Sequence, residues 1–131
     1  MKQERVDPGW AWTKKLNLSA GVKLGETVIL SGTVALDSDG NVVGHGDIYA
    51  QSQQIFKNIE EALKRAGATM TDIVKITTYL TDIPSYNGFV RARSEAFPGG
   101  VPPSTTVAVR ALVMPELLAE VEAIAVIGSG T

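Results

Sequence analysis

Two carboxylates near the C-terminus have the types and spacing for acid–base chemistry. Glu120 and Glu122 alternate within Ala119–Ile127, a stretch whose pattern predicts a strand, so both side chains lie on one face. Ile124 and Val126 continue that face, which brings Glu122 to the start of an apolar row. A carboxylate in such a position is usually solvent-facing or paired, and it is occasionally a functional acid held in a cleft. The spacing alone leaves both interpretations open.

No nucleophile has a base beside it in the sequence. The hydroxyls of Ser31, Ser104, Thr105 and Thr106 could form a catalytic triad only through His45, the single histidine. His45 stands between two glycines in a predicted loop, where we expect an exposed side chain. The chain has no cysteine, which excludes disulfides, thiolate metal sites and a cysteine nucleophile. We therefore expect neither a metal nor an organic cofactor.

The composition is typical of one globular domain. The 131 residues are 44% hydrophobic and 20% charged, and a chain of this length holds one sizeable core. We find neither an apolar run that could cross a bilayer nor a signal-peptide core, so we expect a cytoplasmic protein without a membrane partner. A formal net charge of −2 argues against nucleic acid as a partner, because neutralising phosphates requires clustered Lys and Arg.

Strands and helices that would hold these residues follow from the apolar patterns. Apolar residues three and four apart predict a helix from Ile48 to Ala66, capped by Asp47 and ended by Gly67. A second helix is predicted to begin at Pro84. Alternation and β-branched residues predict the other strands, which are Leu16–Lys23, Thr27–Leu30, Asp72–Thr81 (with Val74, Ile76, Thr78 and Leu80 on one face) and Thr105–Val109 (with one buried face).

This order of elements predicts an α+β fold with both helices on one face of a mixed sheet. The other face stays open in so small a chain, and we expect further copies of the chain to cover it. We predict a single domain over residues 16–131 and an N-terminal extension over residues 1–15. Trp10 and Trp12 in that extension pack either on the domain's own sheet or on a neighbouring subunit.

Several motifs together resemble the RidA/YjgF family, and the similarity runs from Leu16 to Ile127. The motifs are PPSTTVAV at 102–109, EVEAIAV at 120–126, GETVILSGTV at 25–34, DIYAQ at 47–51 and AGATMTDIVKITTYLTD at 66–82. The resemblance implies a chorismate-mutase-like α+β homotrimer whose ligand clefts lie between subunits.

The resemblance also implies an activity and a set of site residues. RidA-like enzymes are hydrolases that convert reactive enamines and imines of the 2-aminoacrylate type to 2-keto acids and ammonia, and they need only water. Carried over by position, the family's water-handling glutamate matches Glu122 and its cleft glycine matches Gly32. The strand backbone that faces the ligand matches Thr105 and Thr106.

Two positions depart from the family pattern. Ser104 replaces an arginine that grips the substrate carboxylate, and Leu18 replaces a tyrosine that packs on the substrate. A charge-assisted hydrogen bond contributes ~1.5–3 kcal/mol and a neutral one about half of that or less, so Ser104 cannot replace a guanidinium. Arg91 aligns with an asparagine that borders the cleft and is a candidate replacement. Alternatively, Arg91 is a surface arginine paired with Glu95.

Three functions are consistent with this reasoning. The first is an enamine or imine deaminase whose substrate choice is altered by Ser104. The second is a non-catalytic trimer of the same family that binds small molecules or acts like a chaperone. The third is an RNA-directed nuclease, since some relatives are labelled endoribonucleases. The acidic balance and the lack of basic or aromatic patches disfavour it.

Overall fold

A six-stranded mixed sheet organises the chain in the structure, a computed structural model that describes residues 1–130. Thr131, where the predicted domain ends, lies outside the described residues. The strands are β1 (Gln3–Val6), β2 (Gly21–Leu24), β3 (Thr27–Leu30), β4 (Ile73–Leu80), β5 (Ser104–Ala108) and β6 (Ala119–Val126). The helices are α1 (Ala11–Lys15), α2 (Ile48–Ala66) and α3 (Tyr86–Ala96). The strands lie in the order β1-β2-β3-β6-β4-β5, and β4 and β5 are parallel to each other.

Helix α2 has the bounds that its sequence predicts. The Asp47 side chain accepts a hydrogen bond from the backbone N–H of Ala50 at 3.1 Å, which caps the first turn. Gly67 ends the helix with a φ of +84°, a left-handed conformation that favours glycine. The predicted apolar stripe is buried, including Ile55 and Ile59, which have no exposed surface.

Helix α3 packs against the same core as α2. A 3-10 turn over Ile83–Ser85 contains Pro84, and α3 begins directly after it. Phe89 is fully buried, and the rings of Phe56 and Phe89 lie 5.9 Å apart. The predicted packing of both long helices on one face of the sheet is therefore confirmed.

The opposite face of the sheet is open in the single chain, as predicted. Apolar side chains there remain exposed, among them Ile29 at 43%, Val107 at 40% and Ile124 at 36%. The prediction that Val74 shares a face with Ile76, Thr78 and Leu80 is wrong, since Val74 is 39% exposed whereas the other three are buried. The register between β4 and β6 shifts next to Val74, and such an irregularity interrupts the alternation of faces.

Two other strand predictions are corrected by the structure. Strand β5 is an edge strand and is largely exposed, so the predicted buried face is absent within one chain. The predicted strand from Leu16 begins only at Gly21, because the residues after α1 turn through Asn17, whose φ is +55°. Edge position and local backbone conformation override the apolar pattern in these two segments.

The N-terminal residues are packed on the sheet and core. Strand β1 pairs antiparallel with β2 and forms one edge of the sheet. Trp10 is 4% exposed and belongs to the main core, where its ring stacks on that of Trp12 at 5.5 Å. Trp10 therefore packs on the domain's own core. Among residues 1–130, no helix has the length and apolarity that a bilayer crossing requires.

Candidate functional site

Glu120 and Glu122 project from β6 on the open face of the sheet, as their alternation predicts. Pairing with β4 places Tyr79 opposite Glu120 and Thr77 opposite Glu122. The Tyr79 hydroxyl donates a hydrogen bond to the Glu122 carboxylate. We call Glu120, Glu122 and Tyr79 the carboxylate cluster.

Gly32 lies directly against the Glu120 side chain. Ile29 pairs with Ile124 and Thr33 pairs with Val121, so the Ser31–Gly32 segment accommodates one extra residue, a β-bulge. A Cβ atom on Gly32 would lie 2.7 Å from Oε2 of Glu120, closer than van der Waals contact permits. The absence of a side chain at Gly32 therefore makes room for the Glu120 carboxyl.

The bulge is held in place by Ser31. Its backbone N–H donates to the carbonyl oxygen of Ala20 at 2.9 Å, and its hydroxyl donates to that of Ser19 at 2.6 Å. These bonds tie the bulge to the loop before β2 and fix the position of Gly32 beside the carboxylate cluster.

The electrostatic environment separates the two acids. Burial raises the pKa of Glu120 above its ordinary value, and the nearby charge of Glu122 raises it further. Glu120 is half-buried whereas Glu122 is exposed. The pKa of Tyr79 is also raised, chiefly by its hydrogen bond to Glu122. A carboxyl with a raised pKa can both take up and release a proton closer to neutral pH, as general acid–base catalysis requires.

The structure distinguishes the predicted Glu122 from its neighbour Glu120 by their surroundings. Glu122 matches the family position by sequence, but Glu120 is the acid that contacts Gly32 and is desolvated. Alternation places both acids on one face and does not distinguish them. The distinguishing feature is the register of the Ser31–Gly32 bulge against β6, which no local pattern predicts.

Ser104 and Thr106 lie on the helix-covered side of the sheet, away from the carboxylate cluster. The parallel register places them beside Ile76 and Thr78, which are fully buried under the helices. A cavity of about 370 Å³, which we call the arginine cavity, opens beside them. It is lined by Ile83, Tyr86, Arg93, Ser104 and Thr106.

Arg93, which the sequence analysis missed, is the arginine that contacts Ser104. Its Nη1 donates to Ser104 Oγ at 3.2 Å and its Nη2 donates to the Tyr86 hydroxyl at 3.3 Å. Arg91 instead lies 4.1 Å above the Tyr49 ring, with its Nε 3.7 Å from Oε2 of Glu95. Within the single chain, Arg91 thus makes the contact with Glu95 that the alternative interpretation predicts.

The remaining predicted residues do not line the arginine cavity. Thr105 alternates to the open face, where its hydroxyl accepts a hydrogen bond from Lys75 Nζ at 2.7 Å. Leu18 is 53% exposed in the loop after α1 and lines a different cavity of about 290 Å³. His45 is exposed in its loop, as predicted. Within residues 1–130, no group of three His, Cys, Asp or Glu side chains could hold a metal ion.

Within one chain, five of the predicted site residues therefore form two groups on opposite faces of the sheet, and Leu18 and Arg91 belong to neither. Gly32, Thr105 and Glu122 lie on the open face. Glu120 lies on the same face, with its side chain against Gly32. Ser104 and Thr106 lie with Arg93 on the other. Glu120 and Arg93 of one chain therefore lie on opposite sides of the sheet.

The mixed sheet with two long helices on one face defines a class of small α+β proteins with the chorismate-mutase-like architecture. The sequence model of the family described as Endoribonuclease L-PSP matches residues 12–127, and the chain belongs to this family, which includes RidA and YjgF. The resemblance stated from the motifs is therefore confirmed.

Individual relatives agree with this assignment. A RutC family protein of Pyrococcus abyssi is 33% identical over 107 residues, covering 82% of this chain and 84% of the relative. The crystal structure of a Mycobacterium tuberculosis member of the YjgF/YER057c/UK114 family is 32% identical, with a TM-score of 0.83 over 96% of this chain and 100% of that one. A protein of the conserved Rid family from Yersinia pestis is 29% identical, with a TM-score of 0.88 over the same shares, 96% and 100%.

Proposed function

We propose that the protein is a Rid-type deaminase, a hydrolase that converts imines or enamines of small metabolites to carbonyl compounds and ammonia. Family membership supports this class of reaction. The proposal rests in this chain on Glu120, a half-buried carboxyl that lies against Gly32 beside a second carboxylate. Proton transfer at such a group is the chemistry that hydrolysis of a C=N bond requires.

The reaction consumes one water and releases one ammonia. The water oxygen attacks the imine carbon, the electron pair of the C=N π bond moves to nitrogen, and nitrogen takes up a proton. The resulting carbinolamine then loses its C–N bond. Nitrogen leaves as ammonia with the hydroxyl proton, and the oxygen forms the carbonyl. Glu120 would accept the proton of the attacking water and return it to nitrogen, since its raised pKa suits both transfers.

The working site would lie between two copies of the chain. Because Glu120 and Ser104 are on opposite faces, one ligand can contact both only if the β5 edge of one copy meets the open face of another. A homotrimer closes such a head-to-tail contact into a ring and covers the exposed apolar residues Ile29, Val107 and Ile124. The substrate would be a small molecule held in this intersubunit cleft.

Ammonia release tests the proposal. Iminopyruvate generated enzymatically would be offered to the wild type, to Glu120→Gln and to Glu122→Gln. We expect release faster than in buffer for the wild type and a loss of about 10²–10⁴-fold for Glu120→Gln. Glu122→Gln should lose less, because Glu122 acts through the charge it places near Glu120.

The alternative function predicts a different outcome of the same experiment. If no imino acid is hydrolysed faster than in buffer while 2-keto acids bind, the protein is the non-catalytic small-molecule-binding trimer. Sedimentation velocity checks the assembly, since a monomer at working concentration contradicts a site shared between copies.

A further inference from the structure

Arg93 is a half-buried arginine whose charge has no carboxylate partner. In the part of the chain that the structure describes, the salt bridge on α3 joins Arg91 to Glu95, and no acid lies within 4.0 Å of the Arg93 guanidinium. A partly buried charge is costly unless it is paired or hydrogen-bonded. The surroundings of Arg93 therefore favour an anion that is not part of this chain.

The hydrogen bonds of Arg93 are incomplete. Its two contacts are the neutral hydroxyls of Ser104 and Tyr86, whereas a guanidinium has five N–H donors. Its Nε is buried and has no hydrogen-bond partner. One N–H on each of Nη1 and Nη2 also has no partner among these contacts, and this pair has the fork geometry that suits a carboxylate.

The walls of the arginine cavity supply both polar and apolar contacts. Ser104 and Tyr86 place hydroxyls at the guanidinium, and Thr106 and Ile83 line the cavity with them. The Arg93 Cζ lies 5.4 Å from the Phe89 ring centre and 5.8 Å from that of Tyr86, so aromatic rings restrict its position. A volume of about 370 Å³ suits a ligand of a few carbon atoms.

We propose that the arginine cavity binds the carboxylate of a small organic acid, with Arg93 as the cation and the surrounding hydroxyls as hydrogen-bonding partners. The guanidinium comes from α3 and not from position 104, where Ser104 accepts one of its hydrogen bonds. The identity of the natural ligand rests on the proposed function, from which the ligand would be a 2-imino acid. Binding of a stable 2-keto acid does not require turnover, so it tests the cavity by itself.

Calorimetric titration with pyruvate, 2-oxobutanoate and the neutral amide pyruvamide tests the site. The proteins are the wild type, Arg93→Ala, Arg93→Lys and, as a matched control, Arg91→Ala, whose guanidinium lies on the same helix but contacts Tyr49 and Glu95. We expect Arg93→Ala to weaken keto-acid binding by about 10- to 100-fold while pyruvamide affinity changes less than about twofold. Arg91→Ala should leave all three affinities unchanged, and Arg93→Lys should fall in between, because an ammonium cannot form the bidentate fork.

A purely structural role for Arg93 predicts other results. If Arg93→Ala weakens the keto acids and the amide equally, or leaves keto-acid affinity unchanged, the proposal is wrong. It is also wrong if the wild type shows no preference for the keto acids over the amide. Should Arg93→Ala fail to fold, as judged by circular dichroism, Arg93→Gln takes its place and the same comparison applies.

The Glu120→Gln variant separates this proposal from the proposed function. Glu120→Gln should lose ammonia release and still bind keto acids more tightly than the amide, because the Arg93 guanidinium that pairs with the carboxylate is unchanged in this variant. If the wild type shows Arg93-dependent keto-acid binding but releases no ammonia from imino acids, the carboxylate site stands and the deaminase function fails. If instead the wild type and Arg93→Ala release ammonia at the same rate and bind keto acids equally well, the deaminase function stands and the carboxylate site fails.

Discussion

Replacing Gly32 by alanine perturbs the Glu120 carboxyl with a single methyl group. The added Cβ would lie 2.7 Å from Oε2 and 2.8 Å from Cδ of Glu120. Ordinary van der Waals contact begins at 3.4 Å, so the carboxyl has to move by about 0.7 Å. The methyl meets the flexible end of a side chain, and the φ of Gly32 is not positive, so the backbone tolerates alanine. We therefore expect little change in stability.

The expected effect falls on catalysis. A displacement of about 1 Å in catalytic geometry can cost on the order of 10²-fold in rate, and we expect a loss of that size in kcat/KM for iminopyruvate. Gly99→Ala is a matched control, because a Cβ on Gly99 meets no atom within 4 Å and its φ is likewise not positive. Ammonia release and thermal unfolding would be measured for both variants. An activity within twofold of the wild type in a folded Gly32→Ala protein would refute the role assigned to Glu120.

Further predictions concern charge and packing. Glu122→Gln removes a charge that raises the pKa of Glu120, so the acidic limb of the pH profile of kcat/KM should move to lower pH; a limb that stays in place contradicts the coupling. Because the pKa of Glu120 is raised in the folded protein, Glu120 contributes fully to stability when the pH is below the ordinary pKa of 4.5. This contribution is lost as the pH rises through the raised pKa. Glu120→Gln should therefore raise the midpoint of thermal unfolding near neutral pH but not near pH 4, and equal shifts at both would contradict this. Trp10→Ala should cost about 3–5 kcal/mol in urea unfolding, since Trp10 is 4% exposed. The exposed Leu18→Ala should cost less than about 0.5 kcal/mol, and equal costs would contradict the placement of Trp10 in the core.

Local signals in the sequence were sufficient for the elements that carry the acids. The ends of helix α2 are predicted by its capping residues Asp47 and Gly67, and its apolar stripe repeats over five turns. The alternation of β6 also places both glutamates on one face. By contrast, Gln3–Val6 has no apolar alternation and joins the sheet through backbone hydrogen bonds, which no side-chain pattern reveals.

The features that distinguish neighbouring candidates depend on long-range register. Two residues along α3 correspond to a rotation of about 200°, so Arg91 faces Tyr49 whereas Arg93 faces β5. The sequence predicts a helix there but not how the helix is rotated against the sheet. In the same way, the choice between Glu120 and Glu122 depends on the extra residue at the Ser31–Gly32 bulge. Such packing choices are settled by the tertiary structure and not by spacing.

The central claim is that each chain carries two halves of a site that only a second copy brings together. Co-expressing Arg93→Ala and Glu120→Gln chains under separate tags, and purifying the mixed oligomers through both tags, tests it most directly. If the halves come from different copies, about one in three interfaces of a mixed trimer pairs an intact Arg93 with an intact Glu120. The mixture should then recover ammonia release far above that of either variant alone. Mixed oligomers that stay as inactive as the two parent variants would contradict the shared site.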